Sequence, residues 1–446
     1  MPKPVPKKSL LVPTDMPLVS RRTALSHGMA ATLAAARALS PALFVGCSLG
    51  IPPRARTVPV GLLHSQTGTM AISETSLRDM ELFAFEQINA AGGLLGHKLE
   101  ARAPDPRSRT ELFEKRSRRL LDDGAVAVFG CWTSSSRKAV LSLFEERDKL
   151  LLYPVQYEGN ESSPNVVYGG SVPNQQVLPA IDWLMSEAGG AKRRIYLLGS
   201  DYIYPRTVNF VARKYLAARD LIPAGVGYVP LGQQDFGDTV KAIVASGADC
   251  VLSTVNGDSN VGLFAALARE HVDPGKLPVV STSIAEDELR NLLPEQVKGH
   301  LAVSCYFQSL PTDANRRWVA DFQREFGFDR VTGDPLEPDW CLVHLWKAAV
   351  EKAGSFETAA VRQAFADGLT FAGPGGPVTL DPKTQHCTKY FRVGRIRDDR
   401  QFDIVHQSEG PIDPDPYPQI AFPGWKCDWT EGGITRGPEV SINGDI

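Results

Sequence analysis

The chain has 446 residues, a formal net charge of −3, 43% hydrophobic and 22% charged residues, a length that predicts about two to three hydrophobic cores. Six basic residues and one acid fall in the first 46 positions, so the body that follows carries 42 basic and 50 acidic residues. An acidic body of this kind has no electrostatic footprint for nucleic acid, and no run after residue 47 reaches the ~18 consecutive apolar residues of a membrane span.

Ser20-Arg21-Arg22-Thr23 precedes a small-residue, weakly apolar run that stops at Cys47. The arrangement resembles a twin-arginine export signal joined to a lipoprotein cleavage site. It implies that 1–46 is an export/lipoprotein signal, that Cys47 is the lipidation site, and that the mature protein is periplasmic or held at the cell envelope, touching membrane only through the lipid. Seven cysteines without a CxxC pair speak against zinc and thioredoxin chemistry. Cys250, Cys305 and Cys341 sit in apolar runs, as buried thiols do. A Cys131–Cys427 bridge is left open for an oxidising compartment.

In the body, an apolar, β-branched run over 57–64 predicts a strand, followed by the polar loop 65–69. Helical spacing at Leu77, Met80, Phe83, Phe85 and Ile88 follows, stopped by Ala91-Gly92-Gly93. A strand over 94–99, a helix over 110–121 and a strand over 125–130 come next. The stretch 130–159 opens with GCWTSSSRKAV, crosses a helix and a strand at 150–153, and closes with LLYPVQYEG. After Tyr168-Gly169-Gly170 the pattern restarts: helix 175–186, strand 194–199, the loop SDYIYP, a helix through Ala217, strand 224–230, helix 238–246, strand 250–254, the loop VNGDSN and helix 261–268. Strand and helix alternate throughout, which predicts an α/β protein with two parallel sheets covered by helices. A strand over 301–307 and helices at 314–326, 338–353 and 357–366 follow. Short strands at 378–380, 389–396 and 402–406 come after them. The five prolines of 411–424 predict an irregular, extended tail on the surface.

In such folds the loops at the carboxyl ends of parallel strands face one crevice, which brings Trp132, Ser134, Tyr153 and Gln156 together. None is charged, so the set suits a small neutral ligand that forms hydrogen bonds. Tyr157, Tyr202, Tyr204, Asn256 and Asp258 also fall just past strand ends. No HExxH, GxSxG, P-loop or GxGxxG occurs, and the histidines show no metal-ligand spacing. No catalytic residue, metal or cofactor is therefore expected. His64, at the end of the first strand, reads as a satisfied rim residue rather than a base. Ser134-Ser135-Ser136 reads as a helix N-cap whose free first turn can also donate to a ligand carbonyl.

The motifs GCWTSSSRKAV, LLYPVQYEG, GSDYIYPRT, NGDSN and the tail segments DPDPY and GWKCDW together resemble the type I periplasmic binding proteins for urea and short-chain amides. They are closest to the substrate-binding component of urea ABC transporters, with the amide-responsive regulator of amidase operons as a sibling. The resemblance implies two doubly wound α/β lobes joined by three chain crossings, with a ligand cleft between them. The first lobe would span 57–173, completed by about 308–370. The second would span 174–307, completed by about 371–410, and 411–446 would form the Pro-rich tail. By motif, Ser134, Tyr153, Tyr202 and Tyr204 carry over as ligand-binding residues. Gln156, where the amide regulator has Pro, and Asp258, where it has a Gly-rich loop, add acceptors for the N–H donors of urea. The implied function is to capture urea and deliver it to ABC permease subunits, without enzymatic turnover. Short-chain amide binding, for transport or in a cytoplasmic sensor, is the alternative. An enzyme acting on urea or amides is the other rival, but urease chemistry needs a metal cluster and amidase chemistry an activated nucleophile, and the sequence shows neither constellation. Guanidine and branched-chain amino acids remain within the binding class, although a zwitterion needs a cation and these loops show none.

Overall fold

A computed structural model describes residues 56–432 and 435–438. Arg21, Arg22 and Cys47, which carry the export and acylation reading, lie outside the described residues. The first half runs β1 (Arg56–Leu63), α1 (Ala71–Ala90), β2 (His97–Arg102), α2 (Thr110–Asp122), β3 (Ala127–Gly130), α3 (Ser134–Glu146), β4 (Leu150–Tyr153), β5 (Glu161–Ser162) and β6 (Val166–Tyr168). Five of these strands form a parallel sheet in the order β2-β1-β3-β4-β6. β3, β4 and β6 are buried at every position, as in sheets covered on both faces.

A second sheet is built from the restart: α4 (Val177–Met185), β7 (Ile195–Ser200), α5 (Ile203–Ala217), β8 (Gly225–Val229), α6 (Gly237–Ala245), β9 (Cys250–Thr254), α7 (Ser259–Arg269), β10 (Val279–Ser281), α8 (Glu286–Leu289), α9 (Pro294–Val297) and β11 (Leu301–Ser304). The chain then returns to the first sheet with α10 (Asp313–Phe326), α11 (Leu336–Ala353) and α12 (Thr358–Ala366). There Leu342, Trp346 and Phe365 share a core with Val60, Phe129 and Leu152. β12 (Leu369–Gly373) and β13 (Gly376–Leu380) form a hairpin. β14 (Arg392–Ile396) and β15 (Phe402–Gln407) then extend the second sheet antiparallel, giving β15-β14-β11-β10-β9-β7-β8. α13 (Trp429–Gly432) and β16 (Thr435–Arg436) close the described chain. The result is two α/β lobes, as the alternation predicts.

Three expectations need correction, and one open question is answered. The segment 371–410 does not belong wholly to the second lobe: Val378, Leu380 and Cys387 pack in the core of the first, and only β14 and β15 join the second sheet. The strand expected over 301–307 ends at Ser304, and Cys305 and Tyr306 already lie in a first-lobe core as the chain crosses. The Pro-rich tail is irregular but not superficial. Tyr417, Ala421 and Phe422 bury against Leu178 and Phe210, while the Pro416 carbonyl accepts from Asn160 N–H at 2.7 Å, so the tail is anchored on both lobes. Cys131 and Cys427 are free thiols. Cys131 is fully buried, and Cys427 Sγ approaches the Glu161 carbonyl at 3.6 Å.

Candidate functional site

At the carboxyl end of β3 the chain turns through Gly130 at φ +151° and Cys131 at φ +67°. A Cβ on Gly130 would lie 2.6 Å from the Leu63 carbonyl oxygen, so only glycine lets β3 leave beside β1 here. The turn delivers Trp132 and then α3. Thr133, not a serine, is the N-cap: its Oγ1 accepts from Ser136 N–H at 3.0 Å. Ser134 and Ser135 therefore open the first turn, and their N–H groups find no acceptor among the described residues. Tyr153, at the end of β4, donates from its hydroxyl to the Trp132 carbonyl at 2.6 Å and fixes this loop from below.

Under the loop lies a group that inspection of the sequence missed. Arg137, one turn into α3, is fully buried. Its Nε donates to Glu161 at 2.9 Å, Nη2 to Glu158 at 2.9 Å, and Nη1 to Ser134 Oγ at 3.3 Å. The guanidinium also stands over the rings of Tyr153 and Tyr157, 4.8 and 4.3 Å from their centroids. Ser134 Oγ in turn donates to Glu158. Burial pushes Glu161 up, but the Arg137 charge, then Lys138, win and hold its carboxyl well below the usual range. Tyr157 sits behind this network, its hydroxyl 2.6 Å from His386 Nε2, and belongs to the packing rather than to the cavity wall. Arg137 and Glu158 both stand inside the quoted motifs. The usable signal was the spacing of three from Ser134 to Arg137, which puts both on one face of the helix.

Gln156 reaches across to the second lobe. Its Nε2 donates to the Thr282 carbonyl at 3.0 Å and to Ser283 Oγ at 3.1 Å, which leaves Oε1 as an open acceptor among the described residues. Tyr204 meets the same segment, its hydroxyl 2.9 Å from Thr282 Oγ1, and Gln176 Nε2 donates to the Thr282 carbonyl at 3.1 Å. Tyr202 and Tyr204 pack with ring centroids 6.3 Å apart. Tyr202 also lines a cavity of about 100 Å³ with Met70, Glu74, Phe113, Ser135 and Ser136, residues of the first lobe. That volume takes a few waters or one very small molecule. Trp132, Ser134 and Tyr153 are thus one group, and Gln156 and Tyr204 meet at Thr282. Asp258 stands apart. Its N–H points to the Thr69 carbonyl at 3.4 Å, and among the described residues it makes no side-chain cap for α7 and its buried Oδ1 has no partner. Asn256 is turned inward, donating to the Thr254 carbonyl. His64 is no rim residue: it is 1% exposed and 2.7 Å from Glu81.

Residues 58–422 match the family described as "Periplasmic binding protein domain". The fold is similar to that of a solute binding protein of an ABC transporter from Rhodopseudomonas palustris HaA2 in complex with p-hydroxybenzoic acid. The two are 20% identical with a TM-score of 0.71, covering 80% of this chain and 98% of that one. It is also similar to the branched-chain amino acid transporter substrate binding protein LivJ of Streptococcus pneumoniae in complex with isoleucine, at 15% identity and a TM-score of 0.67, covering 80% and 100%. A Leu/Ile/Val-binding protein homolog 6 of Brucella melitensis biotype 1 is 23% identical over 175 residues, 38% of this chain and 45% of that protein. A limonene hydroxylase of Geobacillus stearothermophilus is 30% identical over 114 residues, 26% of this chain and 21% of the hydroxylase. The chain therefore spans less than half the length of these curated relatives, and the structural likenesses speak for the fold.

Proposed function

The chain belongs to the periplasmic binding protein family, and from that premise we propose that it is the substrate-binding component of an ABC transporter, capturing urea between its lobes for delivery to permease subunits. The observation that carries the choice of ligand is the sealed charge at the site. The ligands named for the solved structures, p-hydroxybenzoic acid and isoleucine, each bear a carboxylate, which needs a cation or several donors when buried. Here Arg137 is already shared among Glu158, Glu161 and Ser134, and Lys138 pairs with Glu161 at 3.1 Å. A neutral ligand rich in N–H groups suits what remains: the Gln156 Oε1 acceptor, Tyr202, and the free N–H groups of Ser134 and Ser135 for a carbonyl oxygen. Asp258 is a further acceptor where α7 meets the loop before α1. The cavity that Tyr202 shares with Ser135 and Glu74 has room for urea or a short amide rather than an aromatic acid. No bond is made or broken. Capture of this kind fits a periplasmic protein, tethered at Cys47, and mass spectrometry of the mature N-terminal peptide reads that acylation.

Isothermal titration of the full-length protein against urea, acetamide, formamide, leucine and 4-hydroxybenzoate tests the proposal. Urea is expected to give the strongest binding, and Gln156→Pro to weaken it by about tenfold or more, because a buried donor left unpaired costs ~1–3 kcal/mol. Binding of leucine or 4-hydroxybenzoate in place of urea would overturn the ligand class. A preference for acetamide would move the protein to the amide branch.

A further inference from the structure

We propose that His64, Glu81 and Asp339 form a site for one divalent transition-metal cation inside the first lobe, outside the ligand cluster. The three come from distant points in the chain: the residue just past β1, the middle of α1 and the first turn of α11. That dispersal is why the spacing of histidines in the sequence gave no sign of it. Each offers one ligand atom, and these atoms lie within 4.8 Å of one another. Ligand atoms bound at about 2.0–2.2 Å in a tetrahedral shell lie roughly 3.3–3.6 Å apart, so the three side chains close on an ion by drawing in by up to about 1.5 Å.

The second observation is that the cluster is unsatisfied as it stands. Asp339 is fully buried, and its one side-chain contact inside the cluster is with the Glu81 carboxyl, a second acid; among the described residues no donor from outside the cluster reaches it, and His64 Nδ1 is buried and unpartnered. No lysine or arginine among the described residues pairs with Glu81 or Asp339. The nearby Arg78 is taken up by Asp79 at 2.6 Å, and Arg330 by the same residue at 2.8 Å. Two carboxylates in a dry interior demand compensation. A divalent ion gives it in full, because two negative ligands and one neutral imidazole bring the site to zero net charge. One nitrogen and two carboxylate oxygens suit Zn²⁺ or Mn²⁺ better than Ca²⁺ or a thiolate-seeking metal. Bound there, the ion would tie the end of β1 to α1 and to α11, the helix that returns from the second lobe. The loop that follows His64 carries Thr69, whose carbonyl meets Asp258, so the staple would also steady one face of the cleft.

The test uses the full-length protein, stripped with EDTA and dialysed, with ZnCl₂ and MnCl₂ as probes. One saturable site per chain is expected by isothermal titration, together with a rise of several degrees in the thermal midpoint. Asp339→Asn, which keeps the volume and removes one ligand charge, should lower affinity by more than about tenfold, since outer-shell partners alone are worth ~10–100-fold. Co²⁺ in place of Zn²⁺ provides a reading on the wild type without any variant: a visible d–d spectrum distinct from that of the aqueous ion is expected. A wild-type protein that is folded by circular dichroism and shows neither saturable binding nor a changed Co²⁺ spectrum overturns the proposal. Unchanged affinity in a folded Asp339→Asn does so too.

Discussion

Arg137 is the residue on which the site's chemistry turns, because it is a full positive charge with no exposure to water. Burying it is tolerable only with Glu158 and Glu161 in place, and removing one partner of such a pair costs far more than the pair is worth. Arg137→Met should therefore destabilise the protein by about 3–5 kcal/mol in urea-free guanidinium unfolding, leaving two carboxylates uncompensated. Glu161→Gln should cost less, since Glu158 still faces the guanidinium. The same network sets an acid limit. Because the Glu161 carboxyl is held well below its usual range in the fold, its stabilisation is complete above the unfolded carboxylate value of about 4.3 and is lost as pH falls below it. Unfolding monitored from pH 5 down to pH 2 should show this loss, and Glu161→Gln should flatten it. From the sequence this arginine was not legible. Arginine is almost never fully buried, so an Arg-Lys pair after three serines reads as the solvated face of a helix. Trp132, Tyr153, Gln156 and Tyr204 stand out in the sequence because loops after parallel strands face a crevice; the structure joins Tyr153 to Trp132 and brings Gln156 and Tyr204 to Thr282. Asp258 followed the same rule, yet no hydrogen bond or ring contact joins it to the others.

At the scale of elements, α8 is the piece the sequence hid most completely. Three consecutive acids, Glu286, Asp287 and Glu288, are all buried, because α8 packs against α1 of the first lobe and the crossing segment. Ser73 Oγ on α1 donates to Glu288 at 2.5 Å, Gln308 N–H to Glu286 at 2.7 Å, and Arg290 and Arg330 stand near Asp287. Burial pushes Glu288 up to about 7 and Glu286 up to about 8, and Glu74 on α1 up to about 7. For a carboxyl raised in the folded state the sign is opposite to that of Glu161. The folded form holds the extra proton, so stability falls as pH rises from about 4.3 through about 7 to 8. Thermal midpoints measured from pH 4.5 to 8.5 should decline, and Glu288→Gln should remove part of the underlying loss of stability, at most about 4 kcal/mol. A flat profile in the wild type would show these groups to be solvated in solution. The hairpin of β12 and β13 teaches a similar lesson. Its strand character was readable in part from Val378 to Leu380, but which lobe it covers depends on a core shared with α11, and no local pattern encodes that partner.

For the whole molecule, the alternation of strands and helices was enough to predict two sheets, since each unit carries its own period and stop signals; the cleft between the lobes was implied by the family resemblance. How the lobes meet was not predictable, because it rests on contacts between loops that are far apart in the chain. Besides the meeting of Gln156, Gln176 and Tyr204 at Thr282, the lobes touch where Gly257 approaches Thr69 and Met70. Gly257 has φ +65°, and a Cβ there would lie 2.9 Å from both the Thr69 carbonyl oxygen and Met70 Sδ. Backbone oxygen cannot move aside as a side chain does, so any other residue at 257 props the lobes apart at this edge. If ligand capture is coupled to this contact, a variant that leaves each lobe folded but keeps them from meeting must lose affinity without losing either wall of the site. Gly257→Val should therefore show normal far-ultraviolet circular dichroism and a stability lowered only by the cost of a left-handed valine, about 1–2 kcal/mol. Its urea affinity should fall well below that of the wild type. Small-angle scattering then separates the explanations. Wild-type protein should contract on adding urea and Gly257→Val should not, whereas a variant that contracts and binds normally would show that the lobes close without bringing Gly257 against Thr69.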